Sequence, residues 1–573
     1  MKRELITAMV LALAISAAEA ATPDLILHHG RVVTVNPKFE IAEAFAVSDD
    51  RISAVGSNEE VLKSAGPVTR QIDLAGKMVL PGLIDSHVHA ANAAVFEFDH
   101  PIRDMETVDD VLAYVRERAT VVPEGTWIVV SQVFITRLRD QRFPTKAELD
   151  AAAPEHPVMF RTGPDCMLSS LGLKASGIDR DFQITDGKSG QIEKDSAGEP
   201  TGMLRAATRF AQAKSADRKP NSLERAESLR ALIKDYNSVG ITGIAERNAS
   251  PDLIETYQAV RDSGDLNCRT FLCWALDPNQ EWDNVEKSLT EAVDHPLHHY
   301  DANLWLRGVK VFLDGGMLTG SAYMEKPWGV SSIYSITDPA YRGVLQIEPE
   351  RLYNAAKFSL EHDLQFTAHA VGDAGVRTLV DCYRRINDDF PVAPTRPNVT
   401  HCNFMSPEII AAMKELGVVA DLQPAWLWLD GRTLHNHFGN ERMTWFQPYR
   451  TLFDKGVVVG GGSDHMQKIG SFRSINPYSP FLGMETAITR IPRRFEGPLH
   501  PEQIITREEA IRLYTINNAF ILLDEKNKGS LEAGKLADFV VVDRDLLTCP
   551  VENIRETQVV STWLGGKKVY EKP

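Results

Sequence analysis

An alternation of apolar strands with amphipathic helices runs through most of this 573-residue chain and constrains its fold more than any other feature. Helical stretches such as 350–362 and 407–416 follow several of the strands. Eight strand–helix units predict an α/β fold of the (β/α)₈ TIM-barrel type. The rival is a doubly wound open sheet, but the chain has no phosphate loop of the GxGxxG or GxxxxGK[ST] type. The predicted strands are 78–86, 241–246, 269–276, 306–314, 365–371, 398–404, 418–424 and 457–463.

Both ends of the chain have a β-rich pattern with glycine-containing turns. Short Val-rich strands are predicted within 24–35 and 41–56, and again within 529–543 and 559–570. Because the termini of a domain often lie close together, these ends predict one small β-sandwich. We expect it to comprise residues 21–80 plus 525–573, with the barrel at 81–524.

The interval between the first and second barrel strands is too long for a single helix. It predicts an insertion after strand one, at about residues 100–205, with strands of its own near 127–133 and 157–162.

Residues 1–20 have the three parts of a secretory signal peptide. A positive start, Met1-Lys2-Arg3, precedes an apolar run from Leu5 to Ala18, and Ala18-Glu19-Ala20 offers small residues for cleavage after Ala20. A bilayer-spanning helix needs about 20 apolar residues, so the run is too short for a membrane anchor. A buried N-terminal helix is the alternative. We expect a periplasmic or secreted protein.

Composition excludes several classes of protein. Hydrophobic residues make up 43% and charged residues 24% of the chain, as in ordinary soluble globular proteins. The 62 basic and 78 acidic residues give a net charge of −16, which argues against nucleic acid as a partner. Six cysteines in a chain of this length exclude a disulfide scaffold, and the absence of a CxxC pair argues against a thiolate zinc finger.

The first barrel strand ends in PGLIDSHVH, residues 81–89. His87 and His89 are two positions apart on an extended segment, so both imidazoles point to the same side. The carboxyl ends of barrel strands are where active sites are built, and neutral imidazole binds Zn²⁺ well. An HxH pair alone is a weak signal, but its position at a strand end strengthens it.

Three further strand ends carry residues of the same kind. Strand five ends with His369, strand six with His401 and strand eight with Asp464. A single histidine in a strand is more often a satisfied core residue than a metal ligand. The convergence of His369, His401 and Asp464 on one end of the barrel, beside His87 and His89, favours a metal site.

Lys310 lies within the apolar fourth strand, GVKVFLDGG. A buried ammonium group is costly without a partner, so Lys310 needs an ion pair or a lowered pKa. A neutral lysine can add CO₂ and present a carbamate that bridges two metal ions. The alternative is a salt bridge with Asp314 or Glu246.

The chain resembles the metal-dependent amidohydrolase superfamily, within it amidohydrolase family 3 of the YtcJ-like or N-substituted-formamide-deformylase-like kind. The resemblance spans nearly all of residues 24–572 and implies a (β/α)₈ barrel with a small terminal β-sandwich. The motifs that carry it are PGLIDSHVH (81–89), PTKAELDAAAPEHPV (144–158), GEPTGMLR (198–205), GVKVFLDGG (308–316), HAVGDAG (369–375), THCNFMSPEII (400–410), LQP (422–424), GGSDH (461–465) and GSLEAGKLADFVVVD (529–543).

The resemblance implies two Zn²⁺ ions per chain, bridged by carboxylated Lys310. It implies that His87 and His89 bind the more buried ion, and that Asp464 also binds this ion and acts as the general base. The more exposed ion is then bound by His369 and His401.

The implied activity is hydrolysis of a C–N bond, in an amide, N-formyl or N-acyl small molecule, by a metal-bridging hydroxide. Asp464 takes the proton and passes it to the leaving amine. Hydrolysis of a lactone or ester at the same site is an alternative. Another is an exported non-catalytic binding or regulatory protein, which the complete set of six residues disfavours. A homodimer is a further expectation.

One position departs from the family pattern. Where many relatives carry a histidine in the insertion, this chain has Pro164, so the substrate of the formamide-cleaving relatives does not transfer. Aromatic residues in loops after strands four and seven suit an apolar substrate group, or else pack the insertion onto the barrel. Arg161 and Arg247 can hold a substrate carboxylate or form structural ion pairs. The candidate substrate-binding residues are Arg161, Trp328 and Trp426, with Met317, Tyr323 and Trp428 nearby.

Overall fold

The computed structural model describes residues 22–573, except 164, 187–189, 206, 216 and 335. Twenty-three strands lie in this part of the chain. They are β1 Leu25–His28, β2 Arg31–Val33, β3 Ile41–Ala42, β4 Ala44–Ser48, β5 Arg51–Gly56, β6 Arg70–Asp73, β7 Met78–Pro81, β8 Leu83–Val88, β9 Ile128–Val130, β10 Val158–Thr162, β11 Asp165–Leu168, β12 Gln191–Lys194, β13 Pro200–Arg205, β14 Ile241–Ala249, β15 Arg269–Ala275, β16 Leu304–Phe312, β17 Gln365–Ala370, β18 Asn398–His401, β19 Val419–Leu422, β20 Val459–Gly461, β21 Phe539–Val542, β22 Val559–Leu564 and β23 Lys567–Glu571.

Sixteen α-helices connect these strands within the described residues. They are α1 Asn58–Leu62, α2 Ala90–Ala93, α3 Val108–Ala119, α4 Lys146–Ala152, α5 Ser170–Ala175, α6 Ser222–Ser238, α7 Pro251–Asp262, α8 Trp282–Val293, α9 Pro349–Glu361, α10 Asp373–Asn387, α11 Pro407–Leu416, α12 Pro424–Arg442, α13 Tyr449–Lys455, α14 Pro480–Thr489, α15 Arg507–Leu513 and α16 Ile516–Ile521.

Eight parallel strands form the barrel, in the order β8, β14, β15, β16, β17, β18, β19 and β20. The first and last strands meet through a parallel bridge between Val88 and His465. Two backbone hydrogen bonds of 2.8 Å reinforce this closure, from Asp464 N–H to the His87 carbonyl and from His89 N–H to the His465 carbonyl. The predicted barrel is therefore confirmed, and the open-sheet alternative is wrong.

The two ends of the chain form the additional sheets that were expected beside the barrel. Strands β5-β4-β1-β6 form one sheet, and β23-β22-β21-β7-β2-β3, drawn from both ends, form another. Apolar side chains from both sheets share one core, in which the Phe45 and Phe539 rings lie 4.9 Å apart. The exact domain limits at 80 and 525 stay a prediction.

The predicted first strand, 78–86, serves two sheets instead of one. Met78–Pro81 pairs in the six-stranded terminal sheet, and Leu83–Val88 begins the barrel. The chain passes between them at Gly82, where a Cβ atom would lie 2.1 Å from the hydroxyl oxygen of Thr242. Because the apolar run continues across Gly82 into Leu83 and Ile84, sequence periodicity alone cannot show this change of sheet.

The insertion after strand one forms its own five-stranded sheet, in the order β12-β13-β11-β10-β9. The two predicted strands correspond to β9 and β10. The other three, β11 to β13, were not predicted. The exposed edge strand β12, QIEK, is mostly polar and gives little hydrophobic signal.

A buried ion pair joins the barrel to the terminal sheets. The Arg269 guanidinium at the start of β15 donates to both carboxylate oxygens of Asp538, beside β21, with Nη2 at 2.9 Å from Oδ1. Both side chains are about 5% exposed.

Replacing Arg269 with alanine is expected to lower the free energy of unfolding by about 3–5 kcal/mol, because the Asp538 charge would stay buried without its partner. Urea unfolding measures this loss. Arg384→Ala, which removes a half-exposed ion pair with Asp381, is the control and should change stability by less than about 1 kcal/mol. Equal losses in both variants would contradict a structural role for the buried pair.

Residues 1–20 lie outside the described residues, so cleavage after Ala20 stays a prediction. Among the described helices, none combines the length and the apolar character that crossing a bilayer requires.

Candidate metal centre

The histidines predicted from the strand ends lie together at the carboxyl end of the barrel. His87 and His89 come from the end of β8, and their Nε2 atoms lie 3.4 Å apart. The Asp464 Oδ1 atom, just after β20, lies 3.3 Å from His87 Nε2 and 3.2 Å from His89 Nε2. These three side chains therefore offer converging ligand atoms, all within 4.8 Å of one another.

The other two predicted histidines complete the cluster. His369 lies on β17 and His401 at the end of β18, and their ring centroids are 4.5 Å apart. The His401 ring also lies 5.0 Å from that of His87. Four imidazoles and one carboxylate thus occupy one end of the barrel.

Buried carboxylates lie behind the two histidines of β8. Asp421 Oδ2 lies 3.5 Å from His87 Nδ1, and Glu246 Oε1 lies 3.5 Å from His89 Nδ1. Each ring therefore has a carboxylate near its Nδ1 atom while Nε2 faces Asp464. This arrangement orients a histidine for metal binding through Nε2.

The second pair of histidines is oriented by different partners. The His401 Nδ1 atom lies 2.7 Å from the side-chain oxygen of Gln423, and His369 Nε2 lies 3.2 Å from the Gly315 carbonyl oxygen. One ring nitrogen of each histidine is therefore held by the protein, and the other is left for a ligand.

The protonation of the histidines suits metal binding at three of the four positions. Burial lowers the pKa of His369 to about 3 and holds the pKa of His87 and His401 well below the usual value. Burial opposes the charge of His89 as well, but its contacts with Asp464 and Glu246 raise its pKa to about 9. A metal ion would have to displace the proton from His89.

Lys310 is completely buried on β16. Its Nζ atom has no hydrogen-bond partner and no ion pair among the described residues. Burial lowers the pKa of this amine to about 8, although the charge of Asp464 opposes the shift. The alternative of a salt bridge with Asp314 or Glu246 is not what the structure shows. An unpartnered amine of lowered pKa is what carboxylation by CO₂ requires.

A cavity of about 290 Å³ contains Lys310, His89, His369, His401 and Asp464 in its wall. Apart from these, the side chains around it are mostly apolar, and none of them is an arginine or another lysine. The indole of Trp426 stacks on His401, with centroids 4.7 Å apart and planes inclined by 13°. The apolar lining comprises Phe134, Phe312, Met317, Leu318, Trp426 and Met466.

Several candidate substrate-binding residues lie outside this lining. Arg161 is exposed on β10, and Trp328 is buried with its indole N–H donating to the Ala322 carbonyl at 2.8 Å. Arg247 is fully buried and donates to the Ser86 carbonyl at 2.8 Å, which makes it structural. Tyr323 does not line the cavity, Trp428 lines a neighbouring one, and Pro164 lies outside the described residues.

Sequence reasoning missed the roles of Asp421, Glu246 and Gln423 behind the histidines. A signal was present for the two acids, because a carboxylate inside an apolar strand such as VADL is unusual. Gln423 lies in the LQP motif, but that motif alone does not show a contact with His401 on the neighbouring strand.

The donor set fits a zinc centre. Imidazole nitrogens and carboxylate oxygens are preferred zinc ligands, and the orphaned Lys310 amine is positioned in the same cavity. The side chains that lie together here, four histidines with Asp464 and Lys310, are the ones that the sequence motifs indicated.

Several known proteins are similar to this chain in sequence or in fold. The N-substituted formamide deformylase of Arthrobacter pascens is 28% identical over 562 residues, covering 96% of this chain and 98% of that protein. The YtcJ protein of Bacillus subtilis is 27% identical, covering 96% and 99%. A metal-dependent hydrolase from Pyrococcus horikoshii shares the fold, with a TM-score of 0.66 and 19% identity over 92% of this chain and 99% of that one.

The zinc complex of the atrazine chlorohydrolase TrzN from Arthrobacter aurescens shares the fold more distantly, with a TM-score of 0.52 and 15% identity over 96% of this chain and 95% of that one. An amidohydrolase family model matches residues 70–570. The chain therefore belongs to the amidohydrolase family and is a hydrolase that acts on carbon–nitrogen bonds outside peptides.

Proposed function

We propose that this protein hydrolyses the C–N bond of a small N-formyl, N-acyl or other amide compound at a centre of two zinc ions. His87, His89 and Asp464 would hold one ion, and His369 and His401 the other, with carboxylated Lys310 between them. The observation that carries the proposal is the convergence of these six side chains at one end of the barrel. The unpartnered Lys310 amine supports the bridging role.

Bound zinc would supply Lewis-acid polarisation of the substrate carbonyl and lower the pKa of the attacking water. Asp464 accepts the proton of that water while the water oxygen forms its bond to the carbonyl carbon. The same carboxylate returns the proton to the nitrogen as the C–N bond breaks, so a carboxylic acid and an amine leave.

The lining of the cavity supports an uncharged, apolar group next to the scissile bond. Phe134, Met317, Leu318 and Met466 offer dispersion contacts, and the ring of Trp426 offers a flat apolar face. An anionic group would be buried there without an arginine or a free lysine to pair with it, which is unfavourable.

The zinc-loaded protein is expected to release amine from N-formyl or N-acyl compounds of neutral apolar amines. It should cleave matched compounds that carry a carboxylate beside the same bond at least about tenfold more slowly, because that charge would be desolvated without a partner. A fluorescent amine assay on such pairs, with the corresponding esters, measures the difference. Equal rates for the charged and neutral members would contradict the apolar pocket, and cleavage of esters alone would contradict amide hydrolysis.

Export from the cytoplasm is a further proposal, supported by the pattern of residues 1–20. N-terminal sequencing of the mature protein from a periplasmic extract tests it. A chain that still begins at Met1 would contradict cleavage.

A further inference from the structure

The two oxygens of the Asp464 carboxylate face different partners. Oδ1 faces the Nε2 atoms of His87 and His89 at 3.3 and 3.2 Å. Oδ2 instead accepts a hydrogen bond of 3.2 Å from the side-chain amide of Asn476, in the loop after β20. Asn476 is fully buried and belongs neither to the sequence motifs nor to the set of metal ligands.

Asn476 also holds the backbone of Asp464. Its Nδ2 atom donates to the Asp464 carbonyl at 2.6 Å. Asp464 has a φ of 54°, in the left-handed region that non-glycine residues seldom adopt. Such a conformation persists when surrounding contacts fix it, and Asn476 provides one contact to the backbone and another to the side chain.

Arg137 fixes the orientation of the Asn476 amide. The Nη1 atom of Arg137 donates to Asn476 Oδ1 at 2.8 Å. Because a guanidinium group can only donate, the amide oxygen must face Arg137, and the amide N–H groups must face Asp464. An inverted amide would place two donors against each other and two acceptors against each other.

Arg137 is itself held rigidly. It forms a two-point contact with the buried carboxylate of Asp430 on α12, at 2.9 and 2.7 Å, and donates to the Ile475 carbonyl at 2.7 Å. Arg137 belongs to the insertion, and Phe134, three residues earlier, lines the cavity. The insertion thus reaches Asp464 through two successive hydrogen bonds.

We propose that Asn476 is a positioning residue for Asp464, and that Arg137 of the insertion holds Asn476 in the orientation that this requires. The inference rests on the proposed role of Asp464 as general base. With one lone pair of Oδ2 taken by Asn476, the carboxylate cannot rotate freely. Oδ1 stays turned to the histidines, and the second lone pair of Oδ2 stays available for the proton of the attacking water.

The first test replaces Asn476 with leucine, which has a similar size but no hydrogen-bonding groups. We expect kcat to fall about 10–100-fold, as for other residues that orient metal-site groups, with KM within about twofold and zinc content unchanged. Asn237→Leu is the matched control. It removes a buried asparagine that bonds backbone carbonyls elsewhere in the barrel, and should leave kcat unchanged. Normal kcat in folded, zinc-loaded Asn476→Leu would overturn the proposal.

The second test concerns Arg137. Arg137→Met combined with Asp430→Asn leaves no buried charge unpaired, and should also lower kcat at constant KM. If Arg137 acts through Asn476, adding Asn476→Leu to this pair should lower kcat no further than Asn476→Leu alone. If the fold-losses in kcat of Asn476→Leu and of the Arg137→Met, Asp430→Asn pair multiply in the triple variant, the role of Arg137 is overturned. If Asn476→Leu fails to fold, Asn476→Ser takes its place in both tests, judged by the same criteria.

A readout independent of activity separates this inference from the proposed function. A crystal structure of metal-free Asn476→Leu should show the Asp464 carboxylate rotated or in two orientations, and an unchanged carboxylate would overturn the positioning role. Full activity in Asp464→Asn would instead overturn the general base. A wild-type protein that cleaves no amide would reject the proposed function, and the crystal structure would still decide the role of Asn476.

Discussion

Replacing Asp464 with asparagine is expected to lower kcat by about 10²–10⁴-fold, the usual contribution of a positioned acid–base group. Asparagine has nearly the same shape, although with its side-chain oxygen towards His87 and His89 its amide nitrogen replaces Oδ2 and meets the amide donor of Asn476. It cannot accept a proton from water at neutral pH, however, so both proton transfers of the proposed reaction lose their carrier. KM should change little, because the apolar lining of the cavity is untouched.

Zinc content decides how this result is interpreted. The four histidines and Lys310 remain in the variant, so we expect it to keep its metal after reloading with zinc. Elemental mass spectrometry on the same sample checks this. Asp524→Asn is the matched control, since Asp524 is a buried carboxylate that pairs with Lys528 outside the cavity, and kcat should stay normal. Full activity in Asp464→Asn would mean that another group takes the proton.

The barrel and the cluster of histidines with Asp464 at its end could be predicted because they depend on local patterns. The alternation of apolar strands and amphipathic helices is visible in the barrel region of the sequence, and strands one, five, six and eight carry their candidate residues at the end of the apolar run. His369, His401 and Asp464 were found in this way. The parallel order of the strands then brings residues that are far apart in sequence to one end of the barrel.

The residues that orient this site could not be predicted in the same way. Gln423 contacts His401 from the neighbouring strand, and Asn476 contacts Asp464 from a loop without a motif. Their roles depend on side-chain directions that only the folded barrel fixes. Trp328 illustrates the alternative that the sequence pattern left open for the aromatic residues, which is packing within the protein. An aromatic residue near the barrel mouth suggested a substrate contact, but its ring packs among Tyr334, His437 and Phe438 instead.

Replacing Lys310 with alanine is expected to lower the zinc content from about two ions per chain to one or fewer. The cavity lining contains no other lysine that could take the place of the proposed bridge. Loss of the metal pair removes several kcal/mol of transition-state stabilisation, so kcat should fall by on the order of 10³-fold or more. Lys528→Ala, which removes another buried lysine, is the control and should keep both zinc and activity.

Lys310→Arg separates the two chemical roles that a buried lysine can have. Arginine keeps the positive charge and cannot be carboxylated, so a role as a cation would survive in this variant while a role as a carbamate would not. We expect Lys310→Arg to be as inactive as Lys310→Ala. Acetate should partly restore zinc binding in Lys310→Ala, because it fits the vacated space and offers two carboxylate oxygens.

Bicarbonate gives a second, independent approach to the same question. The pKa of Lys310, lowered to about 8 by burial, leaves a useful fraction of the amine neutral at slightly alkaline pH. Zinc uptake by metal-free wild-type protein should therefore be faster with added bicarbonate, and Lys310→Arg should show no such dependence. Two zinc ions per chain in Lys310→Arg would contradict the bridge, because the four histidines and Asp464 would then suffice to hold both ions.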